Sequence, residues 1–404
     1  MNKHIALIGF NYQPRRHTGD KNFWVELIPL LAKKLEQITI FSIRRHPNGS
    51  EEQTVNGCHL SINYIRPRFL ETPDGTSHEP RMFWKGGAFP HWLGVIEKQM
   101  SILRLVSSLK SIHRKNAFGH IHLMDNMGPG NILLAKFARS LGCSVSVSAL
   151  SYQGSNPFFY DRYLRLSYNA PNLSVIPCSR TFGNKLLELG VPSEKVVRIP
   201  WGVYPGRAVS SIDKSLLKKA LGFSDGRPLI LWAGYIQQIQ RKDFLFALEQ
   251  AKAALSKGLE ATFCFAFKPE SLETGFEKFH QPGDGVHVMT SDVTTFARLK
   301  DACDFLYSPI VNRQAIIAPP LTWVEIMAKG TPILTTNVGG AMEIVEDGKT
   351  GYAARGADDL RQAMSRMARN CSSMQQACIE KVRNEYNIEN SVEKYLCHWF
   401  EERR

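Results

Sequence analysis

Hydrophobic positions in this chain come in short solid runs separated by amphipathic stretches. The first run, Ile5–Gly9, is apolar at consecutive positions and ends in glycine, which predicts a parallel strand buried on both faces. Gly19–Leu35 then reads as a helix with Phe23, Leu27, Leu30, Leu31 and Leu35 on one face. Pro29 inside it should kink or break it, because proline has no N–H to donate. The same alternation predicts strands at Ile38–Ile43, Ile121–Met124, Ser144–Leu150, Leu173–Pro177 and Val196–Ile199, with helices at Leu93–Ile112, Asn131–Leu141 and Arg180–Gly190. Pro200-Trp201-Gly202-Val203-Tyr204-Pro205 interrupts the pattern. It restarts with strands at Pro228–Ala233, Ala261–Phe267, Val286–Thr290, Phe305–Pro309 and Pro332–Thr335. The helices of this half are Asp243–Ser256, Thr294–Ala302, Thr322–Lys329 and a tail from about Ala357. Two successive strand–helix alternations predict two doubly wound α/β domains. Ligands of such sheets bind beyond the carboxyl ends of the strands, so facing domains would enclose a cleft.

Composition changes this picture in one respect. The 404 residues are 43% hydrophobic and 22% charged, as in ordinary globular proteins, but the formal net charge is +13. Residues 1–200 hold 25 basic and 13 acidic side chains, whereas residues 201–404 hold 25 and 24. The first half is therefore a cation, which predicts an anionic partner there: nucleic acid, lipid headgroups or a phosphorylated substrate. No apolar run is long enough to span a bilayer. The apolar start is too short for a signal peptide, because polar Asn11-Tyr12-Gln13 follows it directly. The eight cysteines include no Cys-x-x-Cys pair, so free thiols in a reducing cytoplasm are expected and zinc is not.

Familiar ligand motifs are missing. The first turn, Gly9-Phe10-Asn11-Tyr12-Gln13-Pro14, lacks the dinucleotide fingerprint, and the chain has neither a P-loop nor a Gly-x-Ser-x-Gly elbow. Without Asp-x-Asp, a carboxylate-held magnesium lacks a common ligand pair, so phosphates would have to meet lysine, arginine and helix N-termini. Three stretches are more informative. One runs from Cys178-Ser179 through Gly190-Val191-Pro192 to Lys195-Val196-Val197-Arg198-Ile199-Pro200. The second is Gly234 followed by Arg241-Lys242-Asp243 opening a helix. The third is Glu325–Gly351, with Gly339-Gly340 inside it. In this order the three resemble glycosyltransferase family 4, the retaining glycosyltransferases of the GT-B fold.

The resemblance implies two Rossmann-like domains facing an interdomain cleft. Residues 1–200 would bind the acceptor, residues 205–384 would bind a nucleotide-sugar, and a helix in 385–404 would cross back to the first domain. Glu325 would accept hydrogen bonds from ribose hydroxyls, as a carboxylate does readily. Arg241 and Lys242 would neutralise the departing diphosphate in place of a metal, with Thr322 beside them as a third catalytic candidate. Gly19, Gly234 and Leu321 would complete the nucleotide site through close backbone approach. No cofactor is implied, since the nucleotide-sugar is a substrate. The acceptor hydroxyl would attack the face the nucleotide leaves and pass its proton to the departing phosphate.

Departures from the family bear on the sugar and the acceptor. The first of two family glutamates falls on Ile317, and the donor turn reads Ala318-Pro319-Pro320-Leu321-Thr322, where proline donates nothing. The Gly-Gly usual after the first strand is Gly19-Asp20, the common histidine position is near Leu150, the linker Asn and Asp are Trp201 and Tyr204, and the Arg after Gly234 is Tyr235. Acceptor-side candidates are Arg15, Arg16, Asp125, Asn126 and Tyr152, while His122 reads as a strand histidine. Arg66, Arg68, Arg81, Phe83, Trp84, Lys85, Phe89 and Trp92 mix cations with rings, which suits a headgroup interface and also stacking on nucleic acid. The leading expectation is a lipid-linked or glycan acceptor met at an anionic membrane surface, rather than nucleic acid, by a cytoplasmic, peripheral enzyme of glycolipid or cell-surface polysaccharide synthesis. A transferase for a soluble or nucleic-acid acceptor and a pseudo-enzyme that holds nucleotide-sugar or nucleic acid without turnover are the alternatives.

Overall fold

The computed structural model describes residues 3–10, 12, 20–43, 49–65, 91–126, 128, 130–149, 157–223, 226–234, 241–267, 285–311 and 318–400. The N-terminal sheet contains β1 (His4–Phe10), β2 (Gln37–Ile43), β3 (Gly49–Val55), β4 (Cys58–Ile65), β5 (His120–Leu123), β6 (Ser144–Ala149) and β7 (Leu173–Pro177). Its spatial order is β3-β4-β2-β1-β5-β6-β7, parallel except for β3 against β4. Between these strands run α1 (Asp20–Leu31), α2 (His91–Lys115), α3 (Gly130–Ser140) and α4 (Pro157–Tyr168), and α5 (Arg180–Glu188) follows β7. The C-terminal sheet has β8 (Leu229–Gly234), β9 (Thr262–Phe267), β10 (Val286–Thr290), β11 (Phe305–Ser308), β12 (Ile333–Thr336) and β13 (Gly351–Ala354), all parallel, in the order β10-β9-β8-β11-β12-β13. Its helices are α6 (Ser211–Ala220), α7 (Arg241–Ser256), α8 (Val293–Ala302), α9 (Leu321–Met327), α10 (Ala357–Asn370) and α11 (Gln375–Glu385), and α12 (Ile388–Phe400) follows them.

Period-2 geometry explains the layers. In β1, Ile5 and Leu7 pack with α1 and α12, while Ala6 and Ile8 pack with α2, α3 and α4 on the other face. In β8, Ile230 and Trp232 face α7 and α10, while Leu229 and Leu231 face α9 and α11. Each fully buried leucine is worth about 1.5–3 kcal/mol. A charge at Leu7, where no exposure remains, would lose that and add an unpaired buried ion.

Several sequence expectations need correction. Val196–Ile199 is not a strand. It joins β7 through one bridge, Val196 to Val175, with Val197 N–H on the Val175 carbonyl at 2.9 Å and Ile199 N–H on the Pro177 carbonyl at 3.3 Å, and Pro200 ends the pairing. α1 passes through Pro29 but stops at Leu31 rather than Leu35. The hairpin of β3 and β4 goes unpredicted because Gly49–Val55 is an edge strand with little apolar content; its signal is Asn56-Gly57, both at positive φ (50° and 81°). β13, Gly-Tyr-Ala-Ala, is missed because it carries no β-branched residue and no strongly apolar run, and α4 and α6 for their mixed faces.

The chain crosses between sheets through 200–205 and back at 386–388. The two crossings pair: Val203 N–H donates to the Tyr386 carbonyl at 2.8 Å, and Ile388 N–H to the Val203 carbonyl at 3.0 Å. Gly202 is required there, since a Cβ would lie 2.5 Å from the Ile388 backbone. α12 then lies on α1, where Tyr395 and Trp399 pack on Trp24 and His122.

Candidate functional site

Each sheet reverses its strand order once, and that reversal fixes where a ligand sits. In the C-terminal sheet the reversal lies between β8 and β11, so the crevice opens beyond Gly234 and Ser308. Arg241 and Lys242 open α7 on one bank, and Leu321, Thr322 and Glu325 lie on α9 on the other. Tyr235 and Ile317, the departures noted above, lie outside the described residues.

Side chains tie the banks together. The buried Asp243, third residue of α7, accepts the Val311 N–H on Oδ1 at 2.7 Å. Thr336 Oγ1 accepts the Ile310 N–H at 2.8 Å and donates to the Ile310 carbonyl at 2.6 Å, and Thr335 Oγ1 donates to the Ser308 carbonyl at 2.7 Å. Arg241 and Lys242 are exposed, and no carboxylate among the described residues pairs with either. Two cations at a helix N-terminus oppose its dipole, a placement that a bound anion would reverse.

Glu325 is half-buried, and Lys300 of α8 donates to its Oε2 at 2.5 Å. That ammonium also stands 5.3 Å from the centre of the Phe296 ring. Lys300 is a partner of Glu325 that sequence reasoning missed, because no spacing rule relates α8 to α9. Its charge keeps the carboxylate oriented as an acceptor. At the start of α9, Pro320 occupies the cap position without a side-chain bond, and its carbonyl takes the Trp323 N–H at 2.9 Å. The N–H groups of Leu321 and Thr322 have no acceptor among the described residues. Gly234 has a packing reason of its own: a Cβ there would lie 2.5 Å from the Trp232 indole.

The N-terminal reversal lies between β1 and β5. Arg15, Arg16 and Gly19 follow β1, and Tyr152 follows β6, all outside the described residues, as are residues 66–90 of the cation–aromatic loop and Leu150. Asp125 and Asn126 follow β5 at this reversal. Gly9 lets β1 approach them, since a Cβ there would be 3.3 Å from the Asp125 carboxylate and 2.6 Å from Met124 Cε. Asn126 already has a local task, because its Oδ1 accepts the Gly128 N–H and Asn131 Nδ2, each at 2.9 Å. His122 is a buried strand residue bonded to Ser146 and Ser148 at 2.7 and 3.0 Å, with burial and then His398 pushing its pKa well below the ordinary value.

One carboxylate joins the two halves. Glu343, at the end of the short 3-10 helix Gly339–Glu343, accepts the backbone N–H groups of Arg180 at 2.8 Å and Thr181 at 2.6 Å, and Arg198 Nη2 at 3.4 Å. It thus caps α5 from the other sheet, alongside Ser179, whose Oγ accepts the Phe182 N–H at 3.0 Å. The partner that Gly339 approaches is Thr181, whose Cγ2 would lie 3.1 Å from a Cβ.

Comparison with known proteins bears on the fold. Residues 227–370 match the family described as Glycosyl transferases group 1. A probable sucrose-phosphate synthase of Thermosipho melanesiensis is 23% identical over 167 residues, 39% of this chain and 38% of that protein. The match therefore spans less than two fifths of that curated relative. Among solved structures, Anabaena HepE in complex with UDP superposes with a TM-score of 0.68 at 12% identity, covering 97% of this chain and 98% of that one. WaaG, a glycosyltransferase involved in lipopolysaccharide biosynthesis, gives 0.65 at 14% identity over 98% and 100%. The catalytic domain of Arabidopsis thaliana starch synthase IV, bound to ADP and acarbose, gives 0.66 at 13% over 99% of each chain. The fold is GT-B, two Rossmann-like α/β domains.

Proposed function

We propose that this chain is a retaining glycosyltransferase of family 4 that moves a sugar from a nucleotide-sugar to a hydroxyl acceptor without a metal. The observation that carries the reading is the C-terminal crevice. Arg241 and Lys242, with no carboxylate partner among the described residues, a carboxylate braced by Lys300, and the Leu321 and Thr322 N–H groups lie on elements that flank the reversal of a sheet that matches glycosyl transferases group 1. In this reading Glu325 holds the ribose, while Arg241, Lys242 and the Leu321 and Thr322 amides receive the charge that grows on the leaving diphosphate. HepE in complex with UDP and with UDP-glucose supports a uridine nucleotide as the first donor to try.

A lipid-linked or glycan acceptor at an anionic membrane face is the second part of the proposal. Between Lys98 and Leu187 the chain has eleven lysines and arginines and only two acids, Asp125 and Asp161. α2 to α5 cover one face of the N-terminal sheet, and their outer surface exposes Lys110, Lys136, Arg139 and Arg165 together with Leu103, Leu166 and Leu187. Cations interleaved with apolar side chains fit a headgroup boundary. Among the described residues no helix is long and apolar enough to cross a membrane.

The test is turnover. UDP-, GDP- and dTDP-sugars are incubated with the protein, with and without a lipid extract, and nucleotide release is measured. Release from one donor, raised by the extract, is expected, and silence with every donor overturns the enzyme reading.

A further inference from the structure

At the end of the C-terminal sheet opposite the crevice, where β8 and β11 begin, a recess of about 400 Å³ opens beside Pro228 and Asp304. It runs past Gly226, Ala368 and Arg369 into a second recess of about 770 Å³. Lys214, Lys218, Arg227 and Arg369 line the smaller recess against one described acid, Asp304. That acid is already matched: Lys218 Nζ lies 2.5 Å from its Oδ2, and the Leu229 N–H donates to the same oxygen at 2.7 Å. The remaining three cations have no carboxylate within ion-pair distance among the described residues. Lys214 is the most telling, because it is 6% exposed and its ammonium donates to the Cys303 carbonyl at 2.8 Å. A buried ammonium resting on a neutral carbonyl is short of counter-charge.

Helix dipoles explain part of this set. Lys218 and Arg369 lie in the last turns of α6 and α10, where cations are favoured. They do not explain Lys214, which sits nearer the N-terminal end of α6, or Arg227, which precedes β8 outside any helix. The hydroxyls of Ser211, Ser215 and Ser372 share the lining. Cations set among hydroxyls suit a phosphate attached to a polar, hydroxyl-rich body.

We propose that this recess is an effector site for a phosphorylated polyol or sugar phosphate, separate from the donor crevice. The inference stands on the lining and does not depend on the transferase reading. The probes are inorganic phosphate, glucose 6-phosphate and glucose, titrated calorimetrically into the full chain. Saturable binding of the two phosphate probes and none of glucose is expected. The double variant Arg227→Ala/Arg369→Ala should weaken binding at least tenfold with an unchanged melting temperature, since both side chains are exposed. Arg241→Ala/Lys242→Ala in the crevice should leave it unchanged. Absence of saturable binding at concentrations on the order of 10 mM, a weak ΔG near 3 kcal/mol, overturns the proposal. So does binding that the crevice variant removes, because the phosphate would then sit at the donor site, or binding that the recess variant leaves intact.

Discussion

The two strand-order reversals are built to different standards. The C-terminal one is braced by side chains before any ligand arrives: Asp243 holds the loop after β11, Thr336 holds Ile310, and Lys300 holds Glu325. At the N-terminal one, the described candidate Asn126 spends its amide oxygen on its own turn, and among the described residues exposed cations stand on the outer faces of α2 to α5. A preorganised crevice suits a ligand whose charge must be met at fixed positions, and a diffuse cationic face suits a partner recognised by field rather than geometry.

The largest effect should come from the residue that joins the two halves. Glu343→Ala removes two charge-assisted bonds to the N-terminus of α5 and leaves Arg198 without its carboxylate, a loss of about 3 kcal/mol. In calorimetry the variant should melt in two separated transitions, one per sheet, where the parent melts in one. Glu343→Gln, which keeps acceptor oxygen without charge, should fall between them. A single unshifted transition in the alanine variant would show that the halves are coupled elsewhere, through the pairing of 203 with 386–388.

Next is the crevice itself. Glu325→Ala should weaken UDP binding by roughly 10- to 100-fold, the worth of hydrogen bonds to a charged acceptor. Lys300→Ala should cost less, about threefold to tenfold, because the carboxylate survives but loses its brace. Calorimetric titration separates the two. If Lys300→Ala costs as much as Glu325→Ala, the lysine touches ligand directly; if Glu325→Ala costs nothing, the proposed ribose contact is wrong.

A smaller effect tests the buried interior of the N-terminal half. Burial holds His4 down to about 4, and burial with His398 nearby holds His122 well below its ordinary value. Both imidazoles are therefore neutral when folded and take up protons first when unfolded. Stability from this source is complete above the ordinary histidine value near 6.5 and declines as pH falls, for His4 down to about 4. The slope approaches about 1.4 kcal/mol per pH unit for each histidine. Urea midpoints measured from pH 7.5 to 5 should fall in step, and a flat profile would mean that neither ring stays neutral.

Much of the fold was legible because a parallel sheet buried on both faces leaves solid apolar runs such as Ile5–Gly9 and Ala261–Phe267, and its helices leave 3.6-period stripes. The hairpin of β3 and β4 was hidden because Ser50–Thr54 lies at an edge with water beside it, and only Asn56-Gly57 marks the turn. Val196–Ile199 misled because an apolar β-branched segment can run beside a strand without joining it for more than one bridge. The crevice cations and Glu325 could be read in order along the chain. Lys300, Asp243 with Val311, and Glu343 with α5 could not, because those contacts join residues 25, 68 and more than 160 positions apart and depend on the folded topology.

The smallest effect expected on the folded chain is also the one that most sharpens the contrast between the halves. Vesicles containing anionic lipid should bind the protein at low salt and release it as ionic strength rises past the point where the Debye length is about 10 Å. Neutralising either Lys136 or Arg139 on α3 with glutamine should reduce binding about fivefold, at about 1 kcal/mol for each cation near a charged surface. Substituting Lys252 and Lys257 near the end of α7 should change little, because the C-terminal half carries almost no net charge. Equal losses from both pairs would make the attraction a property of total charge, and the basic face of α2 to α5 would then have no special claim on the membrane. Vesicle binding that persists at high salt would instead assign the contact to Leu103, Leu166 and Leu187, the exposed apolar side chains of the same face.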